Sequence, residues 1–160
     1  MLTQRENHIK FMRLALEEAS LSSRNNEVPI GAILVVNNVV VSRAHNMTES
    51  WNDPTAHAEI IAIKDASRRL KRWRLSDAAL YVTVEPCAMC AWAIVLARIS
   101  SLVYGCTDPR AGAAGSLYDI IGDSKVANSI KTSSGILEIE CKKLLQDFFN
   151  RLRSEKMSNS

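Results

Sequence analysis

The sequence predicts an α/β protein with a three-layer α/β/α fold, in which helices cover both faces of a central mixed sheet of about five strands. Short β-branched and apolar runs alternate along the chain with longer segments of helical spacing, which is typical of layered α/β folds. The first two strand-like runs are joined by Asn37-Asn38, and asparagine tolerates the positive φ angles of a tight hairpin. The hairpin strands are antiparallel, so the sheet is expected to be mixed rather than purely parallel.

The first elements follow from simple periodicity. Residues 3–22 carry apolar side chains at helical spacing, and Asn25-Asn26 is expected to end this helix. Residues 28–36 and 39–44 are rich in β-branched side chains, which favour strands. The chain is therefore expected to begin with one helix followed by a β-hairpin.

The rest of the chain continues the alternation of helices and strands. Asp53-Pro54-Thr55 is typical of a helix start and predicts a helix that extends to about Arg72. Leu80–Val84 is a short apolar run that predicts a strand leading directly into Pro86-Cys87. The elements expected after it are a helix at 88–98, a strand at 101–106, a small-residue loop at 112–115, a short last strand at 136–139 and a final helix at 141–156.

Length and composition indicate one globular domain. The 160 residues are expected to form a single domain over 1–156, followed by a short polar tail at 157–160. The composition is 47% hydrophobic and 23% charged, and the net charge of +3 is compatible with an RNA partner without requiring one. The sequence contains neither a run of 18 apolar residues nor an apolar stretch near its start. We therefore expect no membrane association and a cytoplasmic location.

Four residues in two short segments predict a catalytic metal centre. His57 and Glu59 lie in one segment, and Cys87 and Cys90 follow in a Pro-Cys-x-x-Cys sequence. Imidazole and thiolate are the ligands that zinc prefers, and three protein ligands leave the fourth tetrahedral position open, as in catalytic zinc sites. His57, Cys87 and Cys90 are thus the predicted ligands of one Zn²⁺ ion. The other two cysteines, Cys106 and Cys141, are expected to be buried thiols rather than a disulfide.

Glu59 is predicted to act beside the metal rather than to bind it. Residues two apart on a helix do not share a face, so Glu59 need not coordinate the ion together with His57. A carboxylate in front of the metal can take a proton from water and pass it to a ring nitrogen and then to a leaving amine. Because zinc makes hydroxide available at neutral pH, the site is suited to hydrolytic removal of an exocyclic amine. The alternatives are a structural zinc knuckle, which would have no use for Glu59, and cysteines that are unrelated to a metal site.

Beyond these residues, the chain resembles the bacterial tRNA-specific adenosine deaminases, a family within the cytidine deaminase-like superfamily, over about residues 8–153. The His-x-Glu and Pro-Cys-x-x-Cys pattern is similar to the signature of all zinc-dependent nucleobase deaminases. The resemblance implies a cytidine deaminase-like fold, conversion of the wobble adenosine of an arginine tRNA to inosine, and a homodimer. The more specific matches are Glu27-Val-Pro-Ile-Gly-Ala, Asn52-Asp-Pro-Thr-Ala-His-Ala-Glu, Leu80-Tyr-Val-Thr-Val-Glu-Pro-Cys-Ala-Met-Cys-Ala, Gly112-Ala-Ala-Gly-Ser-Leu and Asp147-Phe-Phe.

The same resemblance implies several residues that contact the substrate. Asn46 resembles the residue that hydrogen-bonds the flipped nucleoside, although its position also suits an ordinary turn asparagine. Ala58 is expected to contribute backbone groups around the base, and Cys87 is expected to do the same. Asp108 resembles a loop residue near the substrate backbone, although spacing alone indicates a turn aspartate. These assignments point to the anticodon stem-loop as the partner.

The final helix combines apolar and basic residues. Its apolar positions favour an amphipathic helix that covers the sheet, and this interpretation suits most of them. Phe149 and Arg151 are the two candidates for RNA contact, through stacking on a base and pairing with a phosphate.

Two segments depart from the family pattern. Residues 68–74 carry five positive charges at the end of the helix that follows His57. They either complement the helix C-terminus or contact the stem of a tRNA. Residues 91–97 are apolar on every side, which predicts burial by the sheet and by a partner subunit.

Two other functions remain open. A free-base or nucleotide deaminase, acting on guanine, cytosine or deoxycytidylate, would share the metal site and Glu59 but would need no basic surface. A non-catalytic RNA-binding subunit that keeps zinc for its fold is a second alternative, and the presence of Glu59 disfavours it.

Overall fold

A computed structural model describes residues 1–127 and 129–160, and its secondary structure follows the predicted alternation. In chain order the elements are α1 (Gln4–Arg24), β1 (Gly31–Val36), β2 (Val39–His45), α2 (Thr48–Trp51), α3 (Ala58–Leu70), β3 (Ala78–Val84), α4 (Ala88–Leu96), β4 (Ser101–Cys106), β5 (Lys131–Ser133) and α5 (Glu138–Ser158).

The five strands form one mixed sheet in the order β2-β1-β3-β4-β5. Strand β1 is antiparallel to both β2 and β3, whereas β4 is parallel to β3 and to β5. The hairpin prediction is confirmed, because Asn37 and Asn38 have φ angles of 50° and 61° and Val36 pairs with Val39. Strands β2, β3 and β4 consequently run in the same direction and end at the same edge of the sheet.

Helices cover both faces of the sheet, which confirms the three-layer prediction. On one face, α3 and α4 pack against alternate residues of the strands, such as Leu34 and Leu80. On the other face, α1 and α5 pack against the intervening residues, such as Ile33 and Tyr81. The alternation of the two sets along β1 is that expected of a strand buried on both sides.

Two of the predicted elements are wrong in position, each for a local reason. Helix α3 begins at Ala58 rather than near residue 54, because the Asp53 carboxylate accepts bonds from the Thr55 backbone and hydroxyl and forms a turn. Residues 136–139 form no strand, since Leu137 has a φ of 52° and precedes α5. Ile136 and Leu137 are apolar because they pack against the core beneath the helix start. The last strand is instead Lys131–Ser133.

Smaller differences affect the ends of helices. Helix α5 starts three residues before the predicted position and extends to Ser158, and α4 ends at Leu96, two residues before Arg98. The short helix α2 is absent from the sequence-based expectation. Among the described residues, no helix has both the length and the apolar character that a membrane span requires.

Candidate active site

The three predicted ligands lie at the edge of the sheet where β2, β3 and β4 end. His57 is the N-cap of α3 and Cys87 is the N-cap of α4, and neither side chain caps its helix. Cys90 lies in the first turn of α4 and is fully buried. The prediction that two helix N-termini meet at one sheet edge is confirmed, although His57 precedes the first turn of α3 instead of lying in it. Ligands generally bind at such edges in α/β folds.

The distances between the ligand atoms fit a tetrahedral zinc ion. The Sγ atoms of Cys87 and Cys90 lie 3.6 and 3.5 Å from His57 Nδ1. Tetrahedral bonds of about 2.3 Å to sulfur and about 2.0 Å to nitrogen would place these atoms about 3.5 Å apart. All three ligand atoms lie within 4.8 Å of one another. The group is therefore arranged to hold a metal ion through Nδ1 and two sulfur atoms.

Cys87 differs from the other three cysteines, whose pKa values are all raised. A hydrogen bond from the Cys90 thiol, together with the contact to His57, lowers the pKa of Cys87 to about 4. Burial raises the pKa of Cys106 to about 11 and that of Cys141 to about 12. All four cysteines have free thiols, and Cys106 and Cys141 are buried, as predicted. Thiolate is the metal-binding form, so Cys87 is the reactive thiol of the ligand group.

Glu59 lies beside this group in the first turn of α3. Its side chain is buried, with only 3% of the residue exposed. Burial raises the pKa of its carboxyl group above the usual value. A hydrogen bond with Cys90 lowers this pKa, but by less than burial raises it. A carboxyl group that holds its proton more strongly is better suited to both accept and return one near neutral pH.

A cleft of about 350 Å³ opens in front of His57. We call it the inner cleft, and its lining residues include Asn46, Ala58 and Phe149. A second cleft of about 520 Å³, the outer cleft, adjoins it through Val28, which lines both. Asp108 lies in this outer cleft. Phe149 also lines both, so the two clefts lie side by side, and we call them together the groove.

Asn46 is held at the end of β2 with one side of its amide occupied. The residue is only 6% exposed, and its backbone N–H donates to the carbonyl oxygen of Ile30. Its Oδ1 accepts a hydrogen bond of 2.6 Å from the Thr48 hydroxyl. The amide NH2 group is therefore the part of Asn46 that remains to bind a ligand in the inner cleft.

Asp108 and Arg151 both make local contacts. The Asp108 carboxylate accepts bonds from the backbone N–H groups of Arg110 and Ala111. Arg151 donates to the Ser23 carbonyl oxygen, and its guanidinium lies over the ring of Phe148. Among the described residues that line the two clefts, Asp108 is present and Arg151 is not. RNA contact by either residue stays a prediction.

Two buried glutamates near the groove are absent from the sequence-based site. Glu27 accepts bonds from the backbone N–H groups of Glu49 and Ser50 and so holds the start of α2. Glu85 accepts bonds from residues 108–116. Burial alone would raise the pKa of Glu85, but these hydrogen bonds lower it below the usual value. The sequence did contain a signal for Glu85. A carboxylate placed between Val84 and a proline at a strand end indicates a buried charge that needs its own hydrogen-bond donors.

Comparison with known proteins accounts for this arrangement. A family model of MafB19-like deaminases matches residues 6–153. The tRNA-specific adenosine deaminase of Bacillus subtilis is 42% identical over 146 residues, which cover 91% of this chain and 91% of that enzyme. The chain belongs to the tRNA-specific adenosine deaminase family. The resemblance that the sequence motifs indicated is thereby confirmed.

Solved structures place the chain in the same family and fold. A structure from work on A-to-I editing by tRNA:A34 deaminases at the wobble position of transfer RNA superposes with a TM-score of 0.82 at 45% identity, covering 85% of this chain and 99% of that one. A guanine deaminase from Bacillus subtilis is more distant, with a TM-score of 0.60 and 34% identity over 67% of this chain and 69% of its own. The cytidine deaminase-like fold is therefore confirmed.

Proposed function

We propose that this protein hydrolytically converts the wobble adenosine of a tRNA anticodon to inosine and releases ammonia. The observation that carries the proposal is the 42% identity to a tRNA-specific adenosine deaminase over nine-tenths of both chains. The groove beside the ligand group supports it, because a cleft of about 350 Å³ suits a single flipped nucleoside. An arginine tRNA is the proposed substrate, as the sequence resemblance implies.

The buried side chains have separate roles in this reaction. Asn46 hydrogen-bonds the flipped nucleoside through its amide, and the backbone of Ala58 borders the base in the inner cleft. Glu59 takes one proton from the attacking water and delivers it to the ring nitrogen as the water oxygen adds to the ring carbon. It then takes the second proton from the new hydroxyl group and gives it to the amine, which leaves as ammonia when the C–N bond breaks. When bound by His57, Cys87 and Cys90, zinc supplies the Lewis acid that activates water at neutral pH. The backbone of Cys87 completes the site next to the attacking water.

We also propose that the metal is Zn²⁺, with one ion per subunit. Elemental analysis of the purified protein should give one zinc per chain, and Cys87→Ser should lose most of it. After chelation, iodoacetamide at neutral pH should label Cys87, since its pKa is lowered to about 4. Cys106 and Cys141 are the internal control, because their raised pKa values and burial should leave them unlabelled in the folded protein. Another metal at full occupancy would contradict the assignment.

The outer cleft is the proposed contact with the rest of the anticodon stem-loop. It contains the basic residues Arg110, Lys142 and Arg153 beside the exposed ring of Phe149. Basic side chains suit phosphates and an exposed aromatic ring suits an unstacked base, which is how proteins bind single-stranded RNA loops. Asp108 is proposed to lie near the substrate backbone, and Arg151 is proposed to pair with a phosphate at the edge of this surface.

The decisive experiment offers the enzyme competing substrates. The purified protein is incubated with an anticodon stem-loop that carries adenosine at the wobble position, and separately with cytidine, guanine and free adenosine. Inosine formed only in the RNA, and lost in Glu59→Ala, would support the proposal. Turnover of guanine instead would favour the second candidate, a free-base deaminase, for which the 34% identity to a guanine deaminase is the supporting observation. RNA binding without any turnover would favour a non-catalytic subunit.

A homodimer is proposed from the exposed side of α4. Trp92 and Leu96 are 46% and 66% exposed, whereas Ile94 on the same helix is fully buried against the sheet. An exposed apolar stripe on a helix whose other side forms the core suits contact with a second copy. Trp92→Glu should convert a dimer to a monomer in mass measurements in solution, with Val39→Glu on the hairpin as an exposed control. An intact dimer in Trp92→Glu would argue against this interface.

The organisation and location of the protein complete the proposal. Residues 1–156 are proposed to form a single deaminase domain with a short polar tail at 157–160, acting in the cytoplasm where its tRNA substrate is found.

A further inference from the structure

Glu85 is a buried carboxylate with no part in the proposed chemistry. It follows the last residue of β3 and is 3% exposed. Its own backbone N–H donates to the Cys106 carbonyl oxygen, so its main chain is fixed between two strand ends. Burying a carboxylate costs free energy unless hydrogen-bond donors surround it. The donors to Glu85 therefore indicate the role of this residue.

Within the described part of the chain, the donors to this carboxylate all come from one loop, residues 107–116. Oε2 accepts from the backbone N–H of Asp108 at 2.9 Å and from the Ser116 hydroxyl at 2.5 Å. Oε1 accepts from the backbone N–H groups of Ala114 at 3.1 Å and Ser116 at 3.0 Å. Each oxygen thus receives two donors, and Oε2 joins the two ends of the loop through Asp108 and Ser116.

The loop held in this way joins the metal group to the groove. Gly112 pairs with Cys87 in an isolated bridge, and the Ala113 N–H donates to the Pro86 carbonyl oxygen at 2.8 Å. A Cβ at Gly112 would overlap the Glu85 carboxylate, so the loop is packed closely against it. At its other end the loop carries Asp108 into the outer cleft.

We propose that Glu85 is a positioning residue that fixes the 107–116 loop, and with it Asp108, against the Cys87 half of the metal group. The structural role of Glu85 in holding the loop is independent of the proposed function, whereas the effect on kinetics rests on the proposed deamination of tRNA. Glutamine is a poor replacement for Glu85, because an NH2 group in place of Oε1 would oppose two backbone N–H groups, and in place of Oε2 it would oppose the Asp108 N–H.

The test compares Glu85→Gln with two milder variants. Ser116→Ala removes one donor and leaves the carboxylate in place. Asp123→Asn is the matched control, because Asp123 also accepts a bond from a loop backbone N–H, that of Lys125, outside the groove. Each holoenzyme is treated with trypsin, and cleavage after the exposed Arg110 is followed by mass spectrometry, together with zinc content and steady-state kinetics on the stem-loop.

Glu85→Gln should be cleaved after Arg110 several-fold faster than the wild type. Its kcat/KM for the stem-loop should fall by about tenfold to hundredfold, mainly through a higher KM, while zinc stays at the wild-type level. Ser116→Ala should shift the same quantities less, and Asp123→Asn should shift none of them.

Cleavage after Arg110 at the wild-type rate in Glu85→Gln would overturn the proposal, and so would a released loop with unchanged kcat/KM. If Glu85→Gln is cleaved throughout the chain, it has lost its fold and Ser116→Ala decides by the same criteria. A wild-type enzyme that does not act on the stem-loop would contradict the proposed function instead. The trypsin result would then still decide whether Glu85 holds the loop.

Discussion

The two sides of the groove are built in different ways. On the catalytic side, Cys90 is fully buried and Glu59 is 3% exposed, and both lie in the first turn of a helix that starts at the sheet edge. On the substrate side, Phe149 is 42% exposed on α5, beside the basic residues of the outer cleft. The catalytic side therefore has its geometry fixed by the core, whereas the substrate side can vary without disturbing the fold. The reaction type follows from the first side and the substrate class from the second.

Replacing Glu59 by glutamine should cause the largest effect. Glutamine keeps the shape of the side chain but cannot carry the proton, so kcat should fall by about 10³-fold. Zinc content and stem-loop affinity should stay near wild type, because Glu59 is separate from the three ligand atoms. Single-turnover assays and elemental analysis on the same preparation would measure both. A parallel loss of zinc would instead place Glu59 in the ligand set.

The pH dependence of the wild type should report the same carboxyl group. Burial raises the pKa of Glu59 in the folded protein, so its ionised form is disfavoured relative to an exposed glutamate. A base must be ionised to accept a proton, and kcat/KM should therefore decline on the acid side at a pH above the usual glutamate value of about 4.3. A rate profile that stays flat down to that value would contradict the raised pKa.

Asn46→Ala should have a smaller effect than Glu59→Gln. It tests the boundary between the catalytic side and the substrate side of the groove. Its amide lies in the inner cleft, with Oδ1 already bound by Thr48. Loss of its hydrogen bond to the nucleoside should lower kcat/KM by about tenfold to hundredfold. Thr48→Val, which removes only the neighbouring hydroxyl, is the control for indirect disturbance of Asn46. An equal loss in both variants would assign the effect to local geometry rather than to substrate contact.

The catalytic side could be predicted from the sequence because its signals are local. Helix starts, a strand running into Pro86-Cys87 and the spacing of His57 from Glu59 are short-range patterns. They lie at the sheet edge as predicted, although α3 begins four residues later than expected. The hairpin at Asn37-Asn38 belongs to the same class, since backbone conformation alone determines it. Such features need no knowledge of which distant residues meet.

The features that could not be predicted depend on long-range contacts. The structural role of Glu85 depends on hydrogen-bond donors more than twenty positions away, and that of Glu27 depends on a backbone N–H group at the start of α2. The apolar pair Ile136-Leu137 resembles a strand in the sequence, but it docks the start of α5 on the core. The substrate side depended on resemblance for the same reason. Exposed residues such as Phe149 carry little periodic signal, and only the fold brings them to the groove.

Phe149→Ala should raise KM for the stem-loop by about tenfold and leave kcat nearly unchanged, because loss of stacking on one base weakens binding without touching the reacting atoms. The matched control is Val39→Ala, which removes an exposed apolar side chain from the hairpin. Kinetics over a range of stem-loop concentrations would separate KM from kcat. A fall in kcat alone would indicate that Phe149 belongs functionally to the catalytic side.

The basic segment 68–74 should show the smallest effect. Arg69 pairs with Asp65 at 2.8 Å and Arg72 binds Asp77 at 2.7 Å, so both guanidinium groups are already engaged within the chain. These ion pairs favour a role at the C-terminal end of α3 over contact with a tRNA stem. Neutralising Arg69 and Arg72 together should therefore leave the salt dependence of tRNA binding unchanged.

A matched pair of substitutions makes this last comparison decisive. Replacing Lys142 and Arg153 in the outer cleft by glutamine should remove two phosphate contacts and reduce the slope of log K against log salt by about 1.4, at about 0.7 for each contact with single-stranded nucleic acid. The same binding titrations on the Arg69/Arg72 variant provide the reference. If that variant flattens the slope as much as the outer-cleft variant does, the tRNA surface extends from the groove to the far end of α3. The substrate side would then include the basic segment as well as the outer cleft.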